Sequence, residues 1–157
     1  MEILIEGAKI SDTKSLVTIY HDAYSENEEM GFPTSASKVT TKEVEDWIKE
    51  TILYIARLAN SSEAVGVVRF KYSSEWNCYV LSRLGVKSIY KGKGIAKSLM
   101  EYGESELLKM GERTLRLTVA QGHPYLLKMY EKRGYKIVGE RPLPELPYDE
   151  FIMEKLL

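Results

Sequence analysis

The chain has 157 residues, 44% hydrophobic and 29% charged, with a net charge of -1 and a pI near 6.2. Those values suit one soluble domain, 1–157, built on one core, and they supply no basic field for nucleic acid. The single cysteine, Cys78, excludes an internal disulfide and cysteine-rich zinc sites, and no metal is expected. The start of the chain, Met1-Glu2-Ile3-Leu4-Ile5-Glu6, is acidic, and its apolar run is too short for a signal peptide or a membrane span. A cytoplasmic protein without membrane contact is the expectation.

The elements follow in chain order. Residues 2–9 predict a strand. Ser11-Asp12 offers a helix N-cap, followed by Leu16, Tyr20, Ala23 and Tyr24 at helical spacing. The polar stretch 25–38, with Gly31 and Pro33, predicts a loop. Thr40 and Glu43 form a capping box, and Val39 and Val44 a hydrophobic staple, at the start of a second helix that runs through Trp47 and Ile48. Three strands follow, 52–58, 64–72 and 79–86, with turns at Asn60-Ser61-Ser62 and Ser73-Ser74. Such short connections predict antiparallel pairing.

The spacing then predicts a long helix over 92–110, with Ile95, Leu99, Gly103, Leu107 and Met110 on one stripe and Gly111 as C-cap. Leu115, Leu117 and Val119 alternate with polar residues, as in a strand. A helix over 124–132, ended by Gly134, a strand over 135–139, a proline-rich loop 142–147 and a last strand 148–155 complete the chain. The fold class is α/β, with a mixed, largely antiparallel central sheet flanked by helices. The order is β-α-α-β-β-β-α-β-α-β-β, and the long helix crosses between two parallel strands.

The segment Lys91-Gly92-Lys93-Gly94-Ile95-Ala96 joins a strand to a helix. A helix N-terminus presents free N–H groups and partial positive charge, and glycines let a phosphate approach the backbone. Lys91, Lys93 and Lys97 add positive charge. The segment therefore suits a pyrophosphate, although a plain tight turn has the same composition. A P-loop is excluded because its glycine positions hold Lys91 and Ala96. A dinucleotide fingerprint is excluded because its third glycine position holds Lys97.

These residues resemble the signature of the GNAT superfamily of acyl-CoA N-acyltransferases, Gln/Arg-x-x-Gly-x-Gly/Ala, matching at Gly94 and Ala96 and departing at Lys91. Downstream, Met129-Tyr130-Glu131-Lys132-Arg133-Gly134-Tyr135 is similar to the family's Leu-Tyr-Glu-Lys-x-Gly-Phe/Tyr. The resemblance implies acetyl-CoA as co-substrate, its pyrophosphate held by Lys91, Gly92, Lys93, Gly94, Ile95, Ala96 and Lys97. It also implies pantetheine along the backbone of Leu84, Gly85 and Val86, and Tyr130 as the acid that protonates the leaving thiolate. The expected partner is a primary amine, on a small molecule or a protein; a homodimer stays open. Tyr130 also suits an ordinary core tyrosine.

The chain departs from the family pattern twice. His123 stands before Pro124 where many relatives carry Asn; it suits a pantetheine contact, a titrating group or a structural loop histidine. No carboxylate lies in Tyr79-Val80-Leu81-Ser82-Arg83, and Thr118 holds the corresponding place on the next strand. Glu26, Glu28 and Glu29, beside Met30 and Phe32, suit either the wall of a site for a cationic amine or an exposed acidic loop. Asp149 and Glu150 are further acids near the last strand, and Tyr148 is placed to face the cleft. Cys78 lacks a flanking cation and is expected in the core. The missing strand carboxylate leaves a rival reading, a catalytically silent module that binds CoA or acyl-CoA.

Overall fold

A computed structural model describes residues 1–157. Seven strands form one sheet in the order β1-β2-β3-β4-β5-β7-β6. The strands are β1 (Ile3–Gly7), β2 (Ile52–Leu58), β3 (Ala64–Ser73), β4 (Cys78–Val86), β5 (Thr114–Ala120), β6 (Lys136–Arg141) and β7 (Glu150–Leu156). The helices are α1 (Thr13–Glu29), α2 (Thr41–Glu50), α3 (Ile95–Lys109) and α4 (Leu126–Lys132). The element order agrees with the sequence. β1 to β4 pair antiparallel in succession, and β4 pairs parallel with β5 across the α3 crossover. β7 inserts between β5 and β6, antiparallel to both.

Two apolar clusters, one on each face of the sheet, replace the one core expected from length. Phe70, Leu99, Leu107, Leu115, Leu117 and Met153 belong to the cluster under α3. Leu16, Ile19, Tyr20, Val44, Leu53 and Ile55 belong to the cluster under α1 and α2. Each fully buried Leu or Ile contributes roughly 1.5–3 kcal/mol. The two-sided cover explains why β2 and β3 read as nearly continuous apolar runs. Across the sheet, the buried Tyr135 hydroxyl donates to Glu104 Oε2 at 2.7 Å, and Lys155 Nζ donates to Oε1 at 2.9 Å. That network fastens α3 to the chain before β6 and to β7.

The capping box of α2 forms: the Thr40 hydroxyl accepts from the Glu43 N–H, and the Glu43 carboxylate from the Thr40 N–H. Four expectations need correction. Asp12 does not cap α1; a short 3-10 turn precedes the helix, and its carboxylate accepts from the Lys9 N–H and pairs with Arg57. Residues 25–29, expected in the loop, complete α1, because no helix breaker stands before Gly31, whose φ is +89°. α3 starts at Ile95, because Gly92 and Gly94 adopt φ of +76° and +82°. Met110, expected on the buried stripe, is the exposed C-cap of α3. The remaining boundaries move by one or two residues: α4 begins at Leu126, β6 at Lys136 and β7 at Glu150.

Candidate active site

β4 and β5 share only the pairs Tyr79↔Leu115 and Val80↔Arg116, and then diverge. Between Arg69↔Ser82 and Val67↔Gly85, two residues of β4 oppose one of β3. That bulge holds Arg83 at φ +48°, an uncommon conformation for a residue with a Cβ. The divergence opens a cleft of about 610 Å³. Its walls come from α1, the segment 81–86, the turn opening α3, the end of β5, and α4.

At one end lies the glycine turn. α3 has no side-chain N-cap, so the N–H groups of its first turn are free of an intramolecular cap. A Cβ at Gly92 or Gly94 would meet open space, but the positive φ at both favours glycine. Gly92, Gly94, Ile95, Ala96 and Lys97 line the cleft; Lys93 does not. Lys91 also lines it and is ion-paired with Glu26 of α1.

Leu84, Gly85 and Val86 line the middle of the cleft. The Leu84 carbonyl accepts a hydrogen bond from the Tyr24 hydroxyl at 2.8 Å, which leaves it one lone pair. A Cβ on Gly85 would press on Ala23 at 3.2 Å, so this glycine lets α1 approach the sheet.

His123 is buried and holds two elements together. Its Nδ1 accepts from the N–H groups of Tyr125 and Leu126, both at 3.4 Å, at the start of α4. Nδ1 acceptance assigns the proton to Nε2, which donates to Asn27 Oδ1 at 3.0 Å. Burial, aided by the Lys91 charge, lowers its pKa and keeps the imidazole neutral. His123 thus caps α4 while lining the cleft.

Tyr130 projects from α4 into the cleft and is 8% exposed. Burial, then the neighbouring Tyr24 and Tyr125, raise its pKa, and no hydrogen bond contributes. It stays protonated at neutral pH and has a proton to give.

The far end of the cleft holds the groups that the sequence left unassigned. Glu150 opens β7 opposite Ala120 and lines the cleft with Thr118. Burial raises its carboxyl, against smaller lowering effects from Arg141, Thr118 and Arg83. Arg141 Nη1 lies 3.5 Å from its Oε1. A roof closes this end: the Tyr148 hydroxyl donates to the Pro33 carbonyl at 3.0 Å, and Phe32 packs against Tyr148 and His123 at centroid distances of 5.5 and 5.1 Å.

Of the two readings of the acidic stretch, exposed acids describe Glu28 and Glu29, and only Glu26 reaches the cleft. Glu26 is engaged by Lys91, Glu28 lies 3.8 Å from Lys38, and neither Glu28, Glu29 nor Met30 lines the cleft. Cys78 is buried away from the cleft, and burial raises its thiol, which removes it as a nucleophile. Glu150 and Arg83 carried little signal in the sequence. Their only mark was charge placed within, or at the start of, an otherwise apolar strand.

The cleft thus lies between diverging parallel strands, with a glycine turn at one end and the Tyr130 hydroxyl inside. The chain belongs to the acetyltransferase (GNAT) domain family, whose model matches residues 20–144. It is similar to the mycothiol acetyltransferase of Propionibacterium freudenreichii subsp. shermanii, at 27% identity over 136 residues. That match covers 82% of this chain, and the chain spans 41% of the length of that relative. Among solved structures it resembles the paia N-acetyltransferase of Thermoplasma acidophilum in complex with coenzyme A, with a TM-score of 0.78, 24% identity and full coverage of both chains. It also resembles the ribosomal-protein-alanine N-acetyltransferase of Brucella melitensis, with a TM-score of 0.79, 19% identity and 98% and 99% of the two chains covered. At those identities the likeness is one of fold.

Proposed function

We propose that this domain moves an acetyl group from acetyl-CoA to a primary amine by direct attack. The observation that carries the reading is one cleft joining an uncapped helix N-terminus behind two glycines to the unpartnered Tyr130 hydroxyl. The free N–H groups suit the pyrophosphate, and Lys97 adds charge beside them. Lys91 contributes once it exchanges Glu26 for a phosphate. Leu84, Gly85 and Val86 offer backbone to pantetheine, and His123 borders that path.

Bound there, acetyl-CoA supplies an activated acyl group. The chain's own residues then manage two protons. The Glu150 carboxylate accepts one from the ammonium of the acceptor, which frees the nitrogen lone pair. The C–N bond forms while the C–S bond breaks, and Tyr130 gives its proton to the departing sulfur. The new amide nitrogen sheds its second proton through water to the Tyr130 phenolate, and Glu150 releases its proton to solvent, so both groups are restored and one proton leaves overall. A thiolate is a good leaving group, so an acid of high pKa suffices. The raised carboxyl of Glu150 brings its basicity nearer to neutrality than that of an exposed glutamate.

Calorimetry with acetyl-CoA tests the cofactor half. Gly94→Glu places a side chain at φ +82° and a carboxylate where phosphate should lie, so binding should fall by more than about 100-fold. Thiol release with an amine panel tests the chemistry, and Tyr130→Phe should reduce kcat by about 10²–10⁴. A wild-type chain with no acetyl-CoA affinity up to about millimolar would remove this reading.

A further inference from the structure

Arg83 carries three features that the transfer chemistry does not use. It occupies the β4 bulge in a left-handed conformation, and such strain at a cleft persists where the surrounding structure enforces it. The bulge re-aims its side chain, which lines the acceptor end of the cleft. Its Nε is buried and has no hydrogen-bond partner.

Its surroundings sharpen the point. The guanidinium lies 5.5 Å from the Trp47 ring centroid, and Arg69 lies 4.7 Å from the same centroid. Their side-chain partners are hydroxyls, Ser82 for Arg69 at 3.0 Å and Ser35 for Arg83 at 3.1 Å. Neither arginine forms an ion pair; Glu150, the nearby acid, is turned to Arg141. Two adjacent guanidiniums without a carboxylate repel each other, and a buried donor without an acceptor is costly. An anion held by the part of Arg83 that lines the cleft relieves the repulsion. A planar guanidinium without an ion-pair partner is suited to carboxylate or phosphonate.

We propose that the acceptor is a small amine that also bears an anionic group, of the amino-acid type, with the anion held by Arg83 and the amine turned to Glu150. This rests on the acetyl-transfer reading of the same cleft. The two charged poles line one end of the cleft, and a zwitterion matches them without net charge transfer. The Tyr148–Pro33 hydrogen bond roofs that end, which favours a small acceptor over an extended chain.

The test uses the whole protein with saturating acetyl-CoA and reads free thiol. Matched acceptors differ only in the anion: tyrosine with tyramine, lysine with cadaverine, methionine with 3-(methylthio)propylamine. Short peptides with free N-termini form a third arm. The expected result is a preference for the acid-bearing member of at least one pair by about 10-fold or more in kcat/KM. Arg83→Met should collapse that ratio toward one by raising KM for the acid-bearing member about 10- to 100-fold, and Arg83→Lys should restore part of it. The ratio within one preparation is independent of how much protein is folded. A wild-type preference for the decarboxylated amines or for peptides overturns the proposal. So does an Arg83→Met variant that slows both members of each pair equally. If acetyl-CoA binds and amines turn over without regard to the anion, the acetyltransferase reading stands and only this inference falls. If calorimetry finds no acetyl-CoA binding, both fall.

Discussion

Glu150 illustrates how one residue's role depends on where the chain brings it. In sequence it is one of two acids after a proline-rich loop. In the fold, β7 pairs with β5 so that Glu150 lies opposite Ala120 and diagonal to Thr118, inside the cleft. Nothing local specifies that pairing, so the sequence marks Glu150 only as one of the acids near the last strand, whereas Tyr130 stands in a compact motif. Burial raises the Glu150 pKa, so the acid limb of the kcat/KM profile should lie above the ordinary glutamate range. Glu150→Gln should remove that limb and cut kcat by about 10²–10⁴. A variant with the wild-type pH profile would exclude Glu150 as the base. The stability sign is opposite. A carboxyl raised by folding is fully compatible with the native state only below its unfolded pKa, and stability is lost as pH rises through the folded value. Glu150→Gln should therefore raise Tm at pH 7, with the difference vanishing on acidification.

At the level of elements, local chemistry was readable wherever it was self-contained. The Thr40–Glu43 capping box closed as its four residues require. Residues 25–29 were misplaced because polarity does not distinguish an exposed helix end from a loop, and only Gly31 stops the helix. Gly103 shows a similar limit. In sequence it is a weak residue on the apolar stripe of α3, yet a Cβ there would overlap the Phe70 ring. Phe70 is itself packed against Tyr54, with centroids 6.1 Å apart, so it has little room to retreat. Alanine would gain about 0.8–1 kcal/mol of helix propensity. Overpacking costs about 1–3 kcal/mol and outweighs it. Gly103→Ala should melt lower by several degrees in a circular-dichroism scan, and an unchanged or higher Tm would show that α3 can shift freely on β3.

For the whole molecule, the sheet is two sub-sheets, β1–β4 and β5-β7-β6, joined by two residue pairs and by α3 packed beneath. The order of elements was legible because hydrophobic period and turn chemistry are local. The inserted position of β7 and the divergence after Val80 were not, because both come from long-range pairing. A ligand spanning the cleft touches both sub-sheets and binds only the folded chain. At 100 times its Kd, acetyl-CoA should add about 2.7 kcal/mol, or about 5–10 °C in Tm. A null thermal shift at saturating, calorimetrically verified occupancy would mean that binding does not depend on the folded cleft.

The seam has a mechanical consequence. Ile3 begins β1 in one sub-sheet, and Leu156 ends β7 in the other. Tension applied between those two residues is transmitted through the β4–β5 junction and the α3 packing that bridges it. The cleft therefore lies on the line along which a pull between those residues crosses from one sub-sheet to the other, so tension entering at the edge strand β1 reaches β7 only by way of the cleft walls.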